Sequence, residues 1–212
     1  MIRLLIVFCL ALVALSAETV DRLAIAVGRE AVTELQLDEE IRVAAFLNRQ
    51  PILSDLNTRR AAAARLVQQL LVRREMEVSR YPLPVEDDVS QYLDQISRGF
   101  GSDADFDHTL KTYGLTRSTL RDHLALQLTT LRFIEFRFQP EIDVSEAEIR
   151  TYYEHEITTW TTAHSGAPPS LEASRESIRK GLTEERIDRA LDAWLEERRR
   201  HVHIVYVDAS LQ

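Results

Sequence analysis

Asp21-Arg22-Leu23-Ala24-Ile25-Ala26-Val27-Gly28-Arg29-Glu30-Ala31-Val32-Thr33 is the stretch from which the fold is read. Leu23, Ile25 and Val27 alternate with smaller or polar residues, the period of a half-buried strand, and Gly28 marks a tight turn into Ala31 and Val32. Thr33 with Gln36 forms a capping box, so a helix starts there and runs through Leu35, Leu37, Ile41, Ala44, Ala45 and Phe46 until Pro51 stops it. At the far end His201-Val202-His203-Ile204-Val205-Tyr206-Val207 is rich in β-branched residues and predicts a closing strand. Strands at both ends with helices between them predict a mainly α fold, a helical core whose N- and C-terminal strands pair in one small β-sheet.

The helices follow from apolar spacing. Ala63, Leu66, Val67, Leu70, Leu71 and Val78 lie on one stripe of a helix from about Leu56 to Arg80, and Tyr81-Pro82-Leu83-Pro84 ends it. Val85, Val89, Tyr92, Leu93 and Ile96 make a shorter helix closed near Gly99 and Gly101. Ser102 caps another through Phe106 and Leu110, with Gly114 at its left-handed end. Thr116 opens the longest pattern, Leu120, Leu124, Leu128, Leu131, Ile134 and Phe138, with Leu126, Phe133 and Phe136 on other faces; Pro140 ends it. Ser145 with Glu148 caps a short helix through Ile149, Tyr152 and Tyr153. Residues 157–169, rich in Thr, Ser, Gly and Pro, read as a linker. Beyond it two helices are expected, Leu171 to Lys180 and Glu184 to Arg200, the second with Ile187, Ala190, Leu191, Trp194 and Leu195 on one face.

Composition agrees. Of 212 residues 45% are hydrophobic and only 7% aromatic, with six Gly and six Pro, which disfavours a sandwich of many short strands. The net charge of −8 speaks against a nucleic-acid binder working through a general positive field. Arg3, the apolar run Leu4 to Leu15, and Ser16-Ala17 before Glu18 have the three-part form of a secretory signal peptide. The run is too short for a permanent span, which needs about 20 residues, so no stable membrane span is expected after cleavage. The single cysteine, Cys9, lies inside that run, so the processed chain 18–212 has no thiol and suits an oxidising exported compartment.

The order of elements resembles the SurA-type periplasmic chaperones, relatives of the parvulin-type foldases. The resemblance is carried by Val20 to Gly28 leading into Val32-Thr33-Glu34-Leu35, by Phe106-Asp107-His108-Thr109-Leu110 with Tyr113-Gly114-Leu115, by Val144-Ser145-Glu146-Ala147-Glu148-Ile149 with Tyr152-Tyr153, and by Ala190-Leu191-Asp192-Ala193-Trp194-Leu195. It covers nearly all of residues 20–207 and its motifs are loose. It implies four parts: a signal peptide (1–17), a helical chaperone domain (18–156), a linker (157–169), and C-terminal helices and strand packing back on the core (170–212). In full-length members a parvulin isomerase domain of about a hundred residues sits between the helix at Tyr152 and the helix at Leu171, and here only the linker fills that interval. The resemblance therefore implies a chaperone core without its catalytic domain: a periplasmic, ATP-independent holdase for unfolded exported polypeptides, outer-membrane protein precursors included. No enzyme activity and no cofactor are implied.

The chemistry-bearing residues add little. No GxSxG elbow, HExxH pair, Walker loop or GxGxxG turn occurs. His201 and His203, two apart, would share a strand face, yet no third ligand is fixed by spacing, and surface histidines rather than a metal site are expected. His108 and His123 read as solvent-exposed. His155 and Glu154 adjoin Tyr152 and Tyr153. Glu86-Asp87-Asp88 matches the dipole of a helix start. The apolar surplus is more informative: Leu126, Phe133, Phe136 and Phe138 exceed what one helix face would bury, and Trp194 of the C-terminal helix joins them as a candidate client contact. They complete the core, contact clients in a cleft between the helical core and the C-terminal helix, or bury a homodimer interface. Two further readings remain beside the holdase, a residual prolyl isomerase and a structural dimer or adaptor.

Overall fold

The computed structural model describes residues 21–163 and 168–212. The signal-peptide reading of 1–17, with Cys9, and the centre of the 157–169 segment lie outside the described residues. Strands β1 (Leu23–Val27) and β2 (Glu30–Thr33) are followed by helices α1 (Glu34–Leu47), α2 (Leu56–Val78), α3 (Glu86–Ser97), α4 (Asp103–Thr112), α5 (Arg117–Arg137), α6 (Glu146–Ala163) and α7 (Leu171–His201), and the last strand is β3 (Ile204–Tyr206). The fold is mainly α with one small antiparallel sheet, in the order β2-β1-β3. The termini do pair: Ile25 faces Tyr206 and Val27 faces Ile204.

Local chemistry sets the boundaries. Gly28 turns the hairpin at φ 61° and donates its N–H to the His203 carbonyl at 2.8 Å, joining the turn to the approach of β3. Thr33 and Gln36 complete the capping box of α1, and Ser102, Thr116 and Ser170 cap α4, α5 and α7 through side-chain oxygens. Gly114 ends α4 at φ 67°. The acidic start of α3 caps as well as it balances the dipole, since Asp88 Oδ2 accepts the Val85 N–H at 3.0 Å.

Two cores share α1 and α5. The first gathers Ala24, Ile25 and Val27 of the sheet, Leu66, Val67 and Leu71 of α2, Phe133, and Leu191 and Leu195 of α7. The second joins Val43 and Phe46 of α1, Val89 and Leu93 of α3, Phe106 and Leu110 of α4, and Leu120 and Leu124 of α5. A small third cluster, Val144, Ile149 and Ile178, zips the first half of α7 onto α6, and Arg175 and Arg179 pair with Glu146 across that hairpin.

Several sequence expectations are corrected. Helix α6 continues to Ala163, six residues beyond Ile157, where the linker was expected to begin. Ile157 and Trp160 prolong the stripe of Ile149 and Tyr153 at helical spacing, and threonine costs a helix only tenths of a kcal/mol. The two expected C-terminal helices are one, because Ile178 and Leu182 on either side of Gly181 pack into the same cluster with α6. The closing strand starts at Ile204 rather than His201, which still belongs to α7, so His201 and His203 do not share a strand face. Leu23 is exposed and Ala24 buried in its place, since a bulge between Leu23 and Ile25 shifts the alternation. Leu35 and Val78, counted on apolar stripes, face solvent near helix ends.

A Cβ at Gly181 would meet nothing within 4 Å. Gly181→Ala is expected to raise unfolding free energy by about 0.5–1 kcal/mol in urea denaturation, through lower backbone entropy in a continuous helix. A loss of stability would mean that the chain breaks there.

Candidate functional site

Between the two cores runs a polar seam. Glu40, on the buried face of α1 beside Leu37 and Ile41, meets α2 and α5 at once: Arg65 Nε donates to its Oε1 at 2.6 Å, and His123 Nδ1 lies 3.0 Å from its Oε2. Glu40 and His123 are both buried, while Arg65 reaches solvent. Burial by itself would raise the Glu40 pKa, but hydrogen bonds from His123 and Arg65 and their charges outweigh it and hold the carboxyl below its usual range. His123 is thus not the exposed residue expected from its lack of helical partners; its partner comes from another helix.

Beside the seam lies a cavity of about 790 Å³, lined by apolar Val43, Phe46 and Leu47 of α1, Tyr92 and Ile96 of α3, and Phe100. Its polar lining includes Asn48 and Arg49 at the end of α1, Gln68 and Gln69 of α2, and Gln127 and Thr130 of α5, with Leu131 beside them. Phe46 stacks on Phe100 with ring centroids 5.6 Å apart, and Arg49, held at φ 53° just past α1, donates to the Gly99 carbonyl at 3.0 Å. These contacts tie the end of α1 to the end of α3 and fix the apolar wall. A second cavity of about 420 Å³ lies beyond the seam among β2, α1, α2 and α5, lined by Gln36, Glu39, Leu70, Asp122, His123 and Leu126 among others. Gln69 borders both.

The residues read from sequence as an apolar surplus are dispersed. Phe133 and Phe138 are core, with ring centroids 5.4 Å apart, and are corrected as client contacts. Trp194 is half-buried at 4.6 Å from the Phe133 ring, so the expected cleft between helical core and C-terminal helix is filled by packing. Phe136 is 40% exposed and stacks on Tyr81, outside the cleft. Leu126 is half-buried and lines the second cavity. Leu131, placed on the α5 stripe, lines the larger cavity and is exposed, at 55%. Glu40, Arg65, Gln68, Gln69 and Gln127 were missed. A carboxylate at i+3 from Leu37 and next to Ile41, and two glutamines inside the Leu66 to Leu71 stripe, were the available signals.

His155 is exposed near the middle of α6, and His201 Nδ1 lies 2.8 Å from the Glu197 carbonyl. Among the described residues there is no group of three or more His, Cys, Asp or Glu that could hold a metal ion. No helix among them is long and apolar enough to cross a membrane. No protein-family model matches the chain. A search of curated proteins also finds no match.

Because the Glu40 pKa is lower in the folded chain than the ordinary 4.5, its contribution to stability is present above pH 4.5 and is lost as pH falls through the folded value. Glu40→Ala is expected to cost about 3 kcal/mol at pH 7, the lower end for a broken buried pair because Arg65 can hydrate. Urea denaturation at pH 7 and pH 3 should show the variant's deficit shrinking in acid; an equal deficit at both would mean that the carboxylate charge is not what holds the seam.

Proposed function

We propose that the chain is an ATP-independent chaperone of the SurA type that holds unfolded exported polypeptides, outer-membrane protein precursors among them, in the periplasm. The observation that carries the reading is the larger cleft, which apolar Val43, Phe46, Leu47, Tyr92, Ile96 and Phe100 line together with Gln68, Gln69 and Gln127. Its volume of about 790 Å³ is that of a ligand-sized cleft. Apolar contact provides affinity with little demand for sequence, since burial is non-directional. Glutamines can donate and accept, so they adapt to whatever backbone lies across them.

Nothing in this reading requires covalent chemistry. Client release follows from competition, as a client that folds or inserts elsewhere withdraws its apolar surface from the cleft. The exported setting is supported by residues 1–17, with Arg3, the apolar run and the small residues before Glu18. The cleft takes the place of the groove expected beside α7, where Trp194 is packed.

Residues 18–212 at near-stoichiometric ratio are expected to suppress light scattering by an outer-membrane β-barrel protein diluted from urea. Leu131→Asp, a charge at the exposed mouth of the cleft, should abolish most of that suppression, and Phe136→Asp, equally surface-placed but outside it, should leave it largely intact. No suppression by the folded wild type would contradict the reading and favour a dimer or adaptor; equal loss in both variants would move the client site.

A further inference from the structure

We infer that the second cavity takes the guanidinium of an arginine side chain carried by a bound polypeptide, held by the carboxylates of Glu39 and Asp122 and by Nε2 of His123. This subsite rests on the chaperone reading above and adds a preference for charge to it. Glu39 and Glu40 are neighbours on α1, as Asp122 and His123 are on α5. Glu40 and His123 meet in the seam, while Glu39, Asp122 and His123 line the cavity of about 420 Å³ beyond it. Neither the Glu39 nor the Asp122 carboxylate has an ion-pair or hydrogen-bond partner among the described residues.

His123 is an observation independent of the acidic pair. It is only 8% exposed, and its Nδ1 lies 3.0 Å from the Glu40 carboxylate. In the neutral ring that partner draws the proton to Nδ1 and leaves Nε2 an acceptor. Nε2 makes no hydrogen bond among the described residues and is not one of their sealed polar atoms, so it opens onto the cavity that His123 lines. Two features of the lining would favour an anion instead. Arg73 is one, but its guanidinium bonds Glu30 and lies 3.9 Å from Glu77. The first turn of α5 is the other, and there Thr116 Oγ1 already accepts the Thr119 N–H at 3.0 Å. Two carboxylates and one lone pair are left uncompensated.

These acceptors select among cations. Among the described residues no three His, Asp or Glu side chains converge as the ligands of a metal ion do, which disfavours a compact charge. A guanidinium spreads five N–H donors over a planar fork and carries no acceptor, so it suits oxygens and a ring nitrogen that stand apart. The aliphatic stem of the arginine then lies along Leu66, Leu70 and Leu126 of the lining. Gln69 borders this cavity and the larger cleft alike, so the charged subsite adjoins the apolar one. A chain that carries arginine near aromatic residues engages both.

The test separates this subsite from the negative field of the whole chain. Peptides of alternating phenylalanine and threonine, labelled with a neutral dye, carry one arginine at successive positions and are titrated by anisotropy, each beside its citrulline twin, which keeps the shape and drops the charge. At the best position residues 18–212 should bind the arginine peptide about tenfold more tightly than its twin. The double variant Glu39→Gln with Asp122→Asn, checked for folding by thermal melting, should bind both twins alike, at the wild-type affinity for citrulline. Glu135→Gln with Asp188→Asn removes the same charge from exposed positions outside the cavity and should keep the tenfold preference. Equal loss in the two double variants, or a preference that survives in the first, overturns the subsite. A lysine peptide as tight as the arginine one overturns the choice of guanidinium. Twins bound alike by the wild type overturn the subsite and leave the chaperone reading in place; failure of the folded wild type to bind either twin overturns both.

Discussion

One carboxylate holds three helices together. Glu40 of α1 takes the Arg65 guanidinium of α2 on one oxygen and the His123 imidazole of α5 on the other, and both cores lie against this junction. A buried ion pair is seldom more stabilising than an apolar contact of the same volume, so its presence calls for another reason. A continuous Leu or Val seam would let the cores close on each other, as apolar surfaces do. A charged group that must keep its two partners in place, with Arg65 open to water, sets a fixed separation, and the cleft lies beside it.

The rest of the fold serves that separation. The first core is secured at its far side by the sheet, where β3 brings the end of the chain back to β1. Arg59 then bonds Glu34 at 2.5 Å and Asp208 at 3.0 Å, so the starts of α1 and α2 and the end of the chain share one clasp. Hydrogen bonds from the Ser210 N–H and hydroxyl, with the Arg59 charge, hold Asp208 at a pKa of about 2, and the clasp stays charged at any ordinary pH. The second core is secured by its aromatics, Phe46 against Phe100, Phe106 and Tyr113. Each wall of the cleft is therefore built on a body that is stable for its own reasons.

Much of the fold was legible because its signals are local. The Thr33 and Gln36 capping box, the caps at Ser102 and Thr116, Gly28, Gly114 and the prolines each act within a few residues, and the elements begin or end beside them. The errors arose where a distant contact overrides composition. Gly181 looks like a break until Ile178 and Leu182 are seen to pack on the same cluster, and the threonines after Ile157 look like a linker although α6 runs through them. The site was less legible. His123 has no partner at helical spacing because its partner is Glu40, and Phe133 looks surplus until Trp194 covers it from the other end of the chain. Periodicity identifies a residue that ought to be buried but not which helix buries it. A cleft is a place where two elements fail to meet, which no single stretch of sequence encodes.

The proposed chaperone role links the polar seam between the two cores to the cleft beside it. The most direct measurement is amide hydrogen exchange of residues 18–212 with and without a urea-unfolded outer-membrane β-barrel protein. Added protection in the second half of α1, the middle of α2, α3 and the middle of α5, with α6 and the first half of α7 unchanged, is the predicted result. Protection confined to the α6–α7 hairpin, or none while the two proteins remain associated, would contradict it.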